Sequence, residues 1–280
     1  MGEIRNLSQL LNALRRGYTI KDGTVVYPTK IYAARKPEKA ERHFCISVAG
    51  HIVGIDSIYQ DVYDLCRNYI SDEDPEIRVQ TKESDLEAER QEAEQDKSVW
   101  QDSYLETLSI YRKICEAMLP YDIFLMHGAV IAIGDSAYMF TAESGTGKTT
   151  HIRKWLNRLE DAFVVNGDKP LIKISGEEVL ACGTPWCGKE HLETNAMVPL
   201  KAVVIMKRGE NNEIEEISYG DAFSFLLCQT YQPKEAAQKM KTLQLISQMN
   251  GKVRFFRFTF DNMKADAFDV AYQALTGEKI

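Results

Sequence analysis

The chain has 280 residues and a formal net charge of −7, with 44% hydrophobic and 27% charged residues. This composition is typical of a globular protein that buries a sizeable core, and the negative charge argues against a general nucleic-acid-binding protein. No segment approaches the roughly 20 apolar residues of a membrane span, and the N-terminus lacks an apolar signal core. The six cysteines follow neither a disulfide nor a zinc spacing. We therefore expect a cytoplasmic protein that has neither nucleic acid nor a membrane as its partner.

Residues 1–119 are predicted to form a small accessory α+β domain. Two apolar strands about a tight Ala49-Gly50 turn indicate a β-hairpin at 43–55. The other predicted elements of this half are a helix at 58–69, a strand at 76–81 and a helix at 99–119, which ends at Pro120. Residues 120–280 then form the second predicted domain.

The negative charge is concentrated in one segment of the first half. Residues 72–96 contain eleven acidic and three basic side chains. Such a run is typical of a solvated helix face with a flexible connection, and the alternative is a docking surface for a basic partner.

Strand patterns dominate the beginning of the second half. Strands are predicted at 125–133 and 138–141, and the Gly-Asp-Ser turn between them indicates an antiparallel pair. Further strands are predicted at 162–166, 171–174, 179–182, 200–206 and 253–258, and helices at 149–159, 219–229, 233–249 and 263–275. Because several of the connections are too short for a crossover helix, we expect an α/β fold with a mixed β-sheet.

Residues 142–150 read Ala-Glu-Ser-Gly-Thr-Gly-Lys-Thr-Thr and lie between an apolar strand and a helix. In a phosphate-binding loop, Gly145 and Gly147 let backbone N–H groups turn toward an anion. Lys148 reaches the β and γ phosphates, and the Thr149 hydroxyl suits a Mg²⁺ ion. The start of the helix adds the positive end of its dipole. The loop therefore predicts a nucleoside triphosphate site.

The predicted nucleotide-binding residues are Glu143, Ser144, Gly145, Thr146, Gly147, Lys148, Thr149 and Thr150. The full pattern has a glycine where this chain has Ala142. The alternative is a glycine-rich turn that only joins strand to helix, although such a turn does not need Lys-Thr at the helix start.

Asp168 is the predicted second functional group, because phosphoryl transfer depends mainly on positioning and charge neutralisation. It follows the apolar strand at 163–166 and can contact Mg²⁺ directly or through water. The alternative is an ordinary turn aspartate in an Asn-Gly-Asp sequence.

The segment 183–190, Gly-Thr-Pro-Trp-Cys-Gly-Lys-Glu, combines a rigid turn with a cation. Lys189 is a candidate to neutralise charge on the γ phosphate, and Trp186 a candidate wall of the nucleotide or substrate site. The alternative, weighed equally, is a structural Pro-Trp turn that caps the core. Lys207 and Arg208, at the end of a predicted strand, are interpreted as surface charges.

Three segments together resemble the catalytic domain of HPr serine kinase/phosphorylase: His127-Gly128-Ala129-Val130, residues 143–149 and residues 164–168. The Ser-Gly-Thr-Gly-Lys-Thr-Thr sequence also resembles the nucleotide core of ATP-dependent phosphoenolpyruvate carboxykinase. The resemblance covers about residues 123–206 well, the C-terminal helices loosely and the first 119 residues hardly at all. It implies a P-loop kinase core with a mixed sheet and, because HPr kinases are hexamers, leaves a homo-oligomer as an expectation.

By this resemblance Lys148 and the loop amides hold the β phosphate, and Thr149 and Asp168 bind Mg²⁺. Asp168 also accepts the proton of the incoming hydroxyl. His127 is placed near the transferred group, with a hydrogen-bonded core histidine as the equal alternative. HPr kinase has two consecutive aspartates where this chain has Gly167-Asp168, which puts the reverse phosphorylase reaction in doubt.

The sequence therefore predicts an enzyme: an ATP-dependent, Mg²⁺-requiring kinase that phosphorylates a hydroxyl, with serine of a small protein or peptide as the expected acceptor. Two alternatives stay open. One is a non-catalytic nucleotide-binding regulator. The other is a carboxykinase, which is weakened because the chain is too short for that family's substrate domain and its metal-binding Lys/His set has no clear match.

Overall fold

The computed structural model describes residues 39–95, 100–188, 190–261, 264 and 266–279, together with short strands at 2–3, 19–21 and 24–26. The strands are β1 Gly2–Glu3, β2 Thr19–Lys21, β3 Thr24–Val26, β4 Lys39–Val48, β5 His51–Tyr59, β6 Ile70–Ser71, β7 Ile77–Gln80, β8 Ile123–Leu125, β9 Ala129–Ile133, β10 Ser136–Thr141, β11 Ala162–Asn166, β12 Leu171–Ser175, β13 Glu178–Cys182, β14 Met197–Arg208, β15 Glu213–Ile217 and β16 Arg254–Phe260. The α-helices are α1 Gln60–Cys66, α2 Glu83–Gln95, α3 Asp102–Met118, α4 Lys148–Arg158, α5 Tyr219–Gln229, α6 Ala236–Ser247 and α7 Ala267–Thr276. In these described parts of the chain, no helix has both the length and the apolar character needed to cross a bilayer.

The N-terminal module, defined here as residues 39–119, contains a four-stranded sheet with the order β6-β4-β5-β7. The predicted hairpin is present as β4 and β5, which pair antiparallel. Ala49 and Gly50 both have positive φ, 53° and 79°, as a tight hairpin turn with the twist of its strands requires. Helix α3 contacts this sheet. The boundary of the predicted accessory domain stays a prediction.

The second half is built around a nine-stranded mixed sheet, as predicted from its short connections. Seven strands follow the order β11-β9-β10-β14-β13-β12-β8, and β16 pairs with both β14 and β15. β10 pairs antiparallel with β9, which directly precedes it in the chain. β10 pairs parallel with β14, because helix α4 and strands β11 to β13 lie between these two strands in the sequence. β14 joins the two parts of the sheet: its first residues pair with β13 and the rest with β10 and β16.

Helices cover both faces of this sheet. On one face α4 and α7 bury Trp155, whose ring centroid lies 5.5 Å from Phe140 of β10 and 5.2 Å from Phe268 of α7. On the other face α5 and α6 bury Leu226 and Leu245. Both layers exclude water from β10 and β14, the strands that lead to the glycine-rich loop and to Arg208.

The N-terminal module shares a hydrophobic core with the large sheet. The shared cluster includes Ile46, Val53, Ile110, Ile114, Ile123, Leu171, Cys182 and Trp186, all buried. The first four come from the module and the last four from the second half. Because burial of apolar area stabilises both parts at once, the module and the sheet are packed as one body at this cluster.

The apolar run at 125–133, predicted as one strand, is divided into β8 and β9 in the structure. Between them the His127 N–H donates to the Gln229 carbonyl (2.7 Å), and the Gly128 N–H donates to the Asp168 carbonyl (2.9 Å). These amides leave the strand pairing for partners that are distant in the sequence. The interruption places His127 at the end of the sheet instead of inside it.

His151 of α4 is fully buried among aromatic rings, with Phe140, Phe258 and Phe260 within 6.1 Å of its centroid. Trp155 Nε1–H donates to His151 Nε2 (2.9 Å), so the neutral ring carries its proton on Nδ1, which has no hydrogen-bond partner among the described residues. Burial lowers the pKa of His151 to about 3.

We expect this histidine to make the protein less stable in acid. The folded protein keeps His151 neutral, whereas the unfolded chain protonates it near pH 6.5, so the free energy of unfolding falls as the pH drops below that value. The comparison is with His151→Gln, which retains an acceptor for Trp155. Between pH 6 and 4, the free energy of unfolding of the wild-type protein is expected to fall by about 1 kcal/mol more per pH unit than that of the variant. Urea unfolding at several pH values measures this difference. If the unfolding free energies of the two proteins change in parallel with pH over the whole range, the prediction is wrong. Above pH 7 they should change in parallel, which is the internal control.

Candidate functional site

The glycine-rich loop, residues 142–147, connects β10 to α4. Gly145 and Gly147 have φ of 77° and 117°, a region that side chains rarely adopt. A Cβ added to Gly145 meets no atom within 4 Å, so glycine is needed there for its conformation and not for space. The Thr146 hydroxyl donates to the Glu143 carbonyl (2.8 Å) and stabilises the turn. Of the remaining predicted contacts, Ser144 and Thr150 lie at the surface and Thr149 is half-buried.

Lys148 begins helix α4 and is buried with 9% of its surface exposed. Its Nζ donates to the Ala142 carbonyl (2.9 Å), so the side chain runs across the base of the loop. Burial lowers the pKa of Lys148, and the charge of Asp168 opposes this shift. A buried ammonium with one carbonyl partner retains two N–H groups for an anion.

The departure from the full motif at Ala142 has a structural explanation. Among the described residues, the non-glycine residues with positive φ are Ala49, Asp122 and His191, so Ala142 adopts an ordinary backbone conformation. Its methyl group is buried in the core below the loop. The loop therefore does not need a glycine at this position.

Arg208, interpreted from the sequence as a surface charge, contacts the glycine-rich loop. Its guanidinium donates to the carbonyls of Gly145 (2.7 Å) and Thr146 (3.0 Å) from the end of β14. A trans peptide is planar with its C=O and N–H on opposite sides, so the contact with the Thr146 carbonyl directs the N–H of Gly147 away from Arg208. Arg208 thus orients the loop backbone, and no local sequence pattern indicates this role.

Given the ATP site that the sequence predicts, replacing Arg208 with glutamine is expected to weaken ATP binding about tenfold, because the loop loses two charge-assisted hydrogen bonds that hold its conformation. Titration calorimetry with ATP and Mg²⁺ measures the change. Arg257→Gln is the matched control, because it removes an exposed arginine that pairs with Glu215 on the neighbouring strands. Equal affinity of the Arg208→Gln variant and the wild-type protein contradicts the prediction.

The turn that carries Asp168 is held by Asn166, which is completely buried. The Asn166 Oδ1 accepts from the N–H groups of Asp168 (2.8 Å) and Lys169 (2.7 Å), and its Nδ2 donates to the carbonyl and hydroxyl of Thr184. An asparagine that bonds the backbone two residues ahead is the expected chemistry of an Asn-Gly-Asp turn. Asn166 is therefore a supporting residue that the sequence analysis did not single out, although the Asn-Gly-Asp turn is a signal that could have identified it.

Asp168 and His127 are brought together in the structure. His127 Nε2 lies 3.1 Å from Asp168 Oδ1, and Nδ1 lies 2.9 Å from Gln229 Oε1. Burial opposes ionisation of Asp168, but the hydrogen bond from His127 and the charges of Lys169 and Lys148 outweigh it and hold the pKa of this carboxyl below its ordinary value. The carboxylate is therefore ionised at neutral pH.

His127 is half-buried and lies within hydrogen-bond distance of Asp168, and its place near the transferred group stays a prediction. Its carbonyl accepts from the buried Thr141 hydroxyl (2.8 Å), which ties it to the strand that leads into the glycine-rich loop. Gln229, at the end of α5, and Lys169, with Nζ 3.6 Å from Asp168 Oδ2, are polar neighbours that the sequence did not single out.

Gly167 has no room for a side chain. A Cβ at this position meets the Cys187 carbonyl oxygen at 2.8 Å and the Leu192 carbonyl oxygen at 3.3 Å. A side chain here, including that of a second aspartate, requires the backbone at Cys187 and Leu192 to move. The turn in this chain offers one carboxylate, that of Asp168.

Trp186 is a core residue and does not form a wall of the site. It is 5% exposed, stacks on Tyr111 of α3 with ring centroids 4.3 Å apart, and donates from Nε1 to the Thr107 carbonyl (2.8 Å). The structural alternative for this turn is therefore the correct one for Trp186. Lys189 lies outside the described residues. Its neighbour Gly188 approaches Asp168 so closely that a Cβ would lie 3.0 Å from the Asp168 Cβ.

The described residues contain no group of three or more His, Cys, Asp or Glu side chains placed to hold a metal ion. A Mg²⁺ ion that enters with a nucleotide requires few protein ligands, because phosphate oxygens and water fill most of its coordination shell. The ionised Asp168 carboxylate has the oxygen donor chemistry that this ion prefers, so the chain fits such an ion without a preformed cage. Thr149, the other predicted ligand, stays a prediction.

No family model and no curated protein matches the chain. Among solved structures, it is similar to the HPr(Ser) kinase/phosphatase from Coxiella burnetii, at 10% sequence identity. The match covers 54% of this chain and 95% of that chain, with a TM-score of 0.34. Similarity at this level does not assign the chain to a family.

Proposed function

We propose that the protein is a phosphotransferase that uses ATP and Mg²⁺ to phosphorylate a hydroxyl group, with a serine of a small protein or peptide as the acceptor. The observation that carries the proposal is the proximity of two charged groups whose positions in the sequence are 20 residues apart. Lys148 at the glycine-rich loop and the ionised Asp168 are near enough for the charge of each to shift the pKa of the other. A cation for the phosphates and an anion for the metal or hydroxyl are the two charges that this reaction needs.

In this proposal, Lys148 and the amides of the glycine-rich loop bind the β and γ phosphates, aided by the N-terminus of α4. When bound, Mg²⁺ neutralises charge that develops on the phosphates, and Asp168 with Thr149 would hold it. Asp168 also orients the acceptor hydroxyl and receives its proton. His127 keeps the Asp168 carboxylate in place through its Nε2–H, and Gln229 fixes the imidazole ring from the other side.

The test follows the terminal phosphate of ATP into a library of serine-containing peptides, with matched threonine peptides and alanine peptides as references. Transfer that requires Mg²⁺ and stops on addition of a chelator supports the proposal. ATP binding without transfer to any peptide and without ADP release instead identifies a nucleotide-binding regulator. Gly167, which leaves the turn with one carboxylate, is the observation that favours this second candidate.

A separate assay addresses the carboxykinase alternative. Phosphoenolpyruvate and bicarbonate are supplied with a nucleoside diphosphate, and formation of the triphosphate is measured. We expect none, because the glycine-rich loop is the part of the chain that resembles that family and its metal-binding set has no counterpart here.

All six cysteines are free thiols, as expected for a cytoplasmic location, which stays a prediction.

A further inference from the structure

Helix α3 of the N-terminal module contacts the turn that carries Asp168. Tyr111 is 3% exposed, and its hydroxyl donates to the Lys169 carbonyl (2.5 Å) across 58 residues of sequence. The Thr184 hydroxyl donates to the same carbonyl (2.8 Å). Lys169 directly follows Asp168, so two buried hydroxyl groups meet at the peptide next to the carboxylate.

These contacts complete the hydrogen bonding of the turn. Asn166 holds the N–H groups of Asp168 and Lys169, and the Gly128 N–H holds the Asp168 carbonyl. Thr184 also accepts from Asn166 Nδ2 (2.9 Å), which links the two anchors. Buried and mutually bonded groups of this kind fix a backbone position more firmly than isolated pairs.

Tyr111 is itself held in place by packing. Its ring stacks on Trp186 at an interplanar angle of 13°, and Trp186 is anchored on the Thr107 carbonyl, one turn earlier in α3. The hydroxyl of Tyr111 therefore has little freedom to move. Helix α3 of the N-terminal module therefore contacts the Asp168 turn through a side chain that packing holds in place.

We propose that Tyr111 is a positioning residue for Asp168: through the Lys169 carbonyl, and together with Thr184, it sets where the Asp168 carboxylate lies relative to His127 and Lys148. The inference rests on the proposed function in taking Asp168 as the reacting carboxylate. It assigns the N-terminal module a part in the phosphoryl-transfer site, since that site is incomplete without a side chain of α3.

The decisive variant is Tyr111→Phe, which keeps the stacked ring and removes one hydroxyl. Thr184 still satisfies the Lys169 carbonyl in this variant, so we expect it to fold. The turn loses one anchor, and because small misplacements of a catalytic group are costly, kcat is expected to fall about tenfold while the dissociation constant for ATP with Mg²⁺ stays within about twofold. Tyr69→Phe is the matched control, because Tyr69 is equally buried in the same cluster and its hydroxyl has no hydrogen-bond partner among the described residues.

A second pair of variants keeps the test decisive if Tyr111→Phe does not fold. Thr184→Val removes the other donor to the Lys169 carbonyl, and Thr184→Ser restores a hydroxyl. We expect Val to lower kcat and Ser to recover most of it. Wild-type kcat in both Tyr111→Phe and Thr184→Val overturns the inference.

A readout independent of catalysis separates this inference from the proposed function. The ring signals of His127, assigned with His127→Gln and observed by NMR without nucleotide, report the position of Asp168 through the hydrogen bond between them. We expect Tyr111→Phe to shift these signals and Tyr69→Phe to leave them unchanged. If the wild-type protein transfers no phosphate but the signals shift, the proposed function fails and the positioning role of Tyr111 stands. Unchanged signals in Tyr111→Phe overturn that role.

Discussion

Replacing Lys148 with methionine is expected to reduce phosphoryl transfer by roughly 10³-fold and to weaken ATP binding. The substitution keeps the aliphatic stem, which packs at the base of the glycine-rich loop, and removes only the ammonium group. That group is buried beside the loop and faces the charge of Asp168, so solvent screens its interaction with phosphate weakly. Loss of one such preorganised cation or donor typically costs about 10²–10³ in rate, and the lost binding adds to it.

The measurement is the initial rate of transfer from ATP, together with calorimetric affinity for ATP and Mg²⁺. Lys154→Met is the matched control, because Lys154 lies on the same helix and its Nζ donates to the Lys264 carbonyl at the surface. We expect this control to bind and react like the wild-type protein. Retention of ATP affinity in the Lys148→Met variant shows that the loop does not bind the triphosphate as proposed.

Replacing Asp168 with asparagine is expected to reduce the rate of transfer about 10³-fold, while the dissociation constant for ATP changes by less than about threefold. Asparagine has the same shape and can still accept from His127, so the turn keeps its hydrogen bonds and the protein its stability. What is lost is the negative charge that would hold Mg²⁺ and orient the acceptor hydroxyl. Asp168→Asn is therefore expected to lower kcat with little change in ATP affinity, whereas Lys148→Met is expected to lower both.

The control for this variant is Asp122→Asn. Asp122 pairs with Lys241 away from the site and has positive φ, a conformation that asparagine also tolerates. Full activity is expected. An Asp168→Asn variant with more than about a tenth of wild-type kcat excludes this carboxylate as an essential base or metal ligand.

The pH dependence of transfer gives a further check on Asp168. Its pKa is held below the ordinary value, and the reactive form is the charged one, which is present above the pKa and lost as the pH falls through it. Asp168 should therefore stay ionised between pH 8 and 5, so its protonation should not lower the wild-type rate of transfer in this range. Any loss due to its protonation is expected below the ordinary aspartate range of roughly pH 4.

The features that the sequence predicted correctly are local ones. The Ala49-Gly50 turn and the alternating strands around it indicated the hairpin, and the short connections after residue 123 indicated a mixed sheet. The helix after the glycine-rich loop was predicted because the loop and the apolar positions of the helix are adjacent in the chain. The hydrogen bonds that determine these elements join residues that are close in sequence, so their pattern is visible without the fold.

The errors and omissions concern contacts between distant segments. The apolar run at 125–133 has no sequence feature that marks its interruption, which is caused by hydrogen bonds from His127 and Gly128 to residues 102 and 40 positions away. Arg208 is exposed, as interpreted from the sequence, but nothing near it in the sequence indicates its carbonyl partners in the glycine-rich loop. Trp186 was assigned equally to the site and to the core, and only the stacking partner on α3 decided between them.

The sequence by itself determined the conformation of the glycine-rich loop and the types of charged groups available for chemistry, because backbone freedom and side-chain chemistry are properties of individual residues. The tertiary structure decided which of those groups meet. It brought Asp168 to His127, directed Arg208 to the loop backbone and joined the Asp168 turn to a tyrosine from the other half of the chain. These pairings depend on strand order and on packing of buried surfaces against each other, which the whole chain settles together.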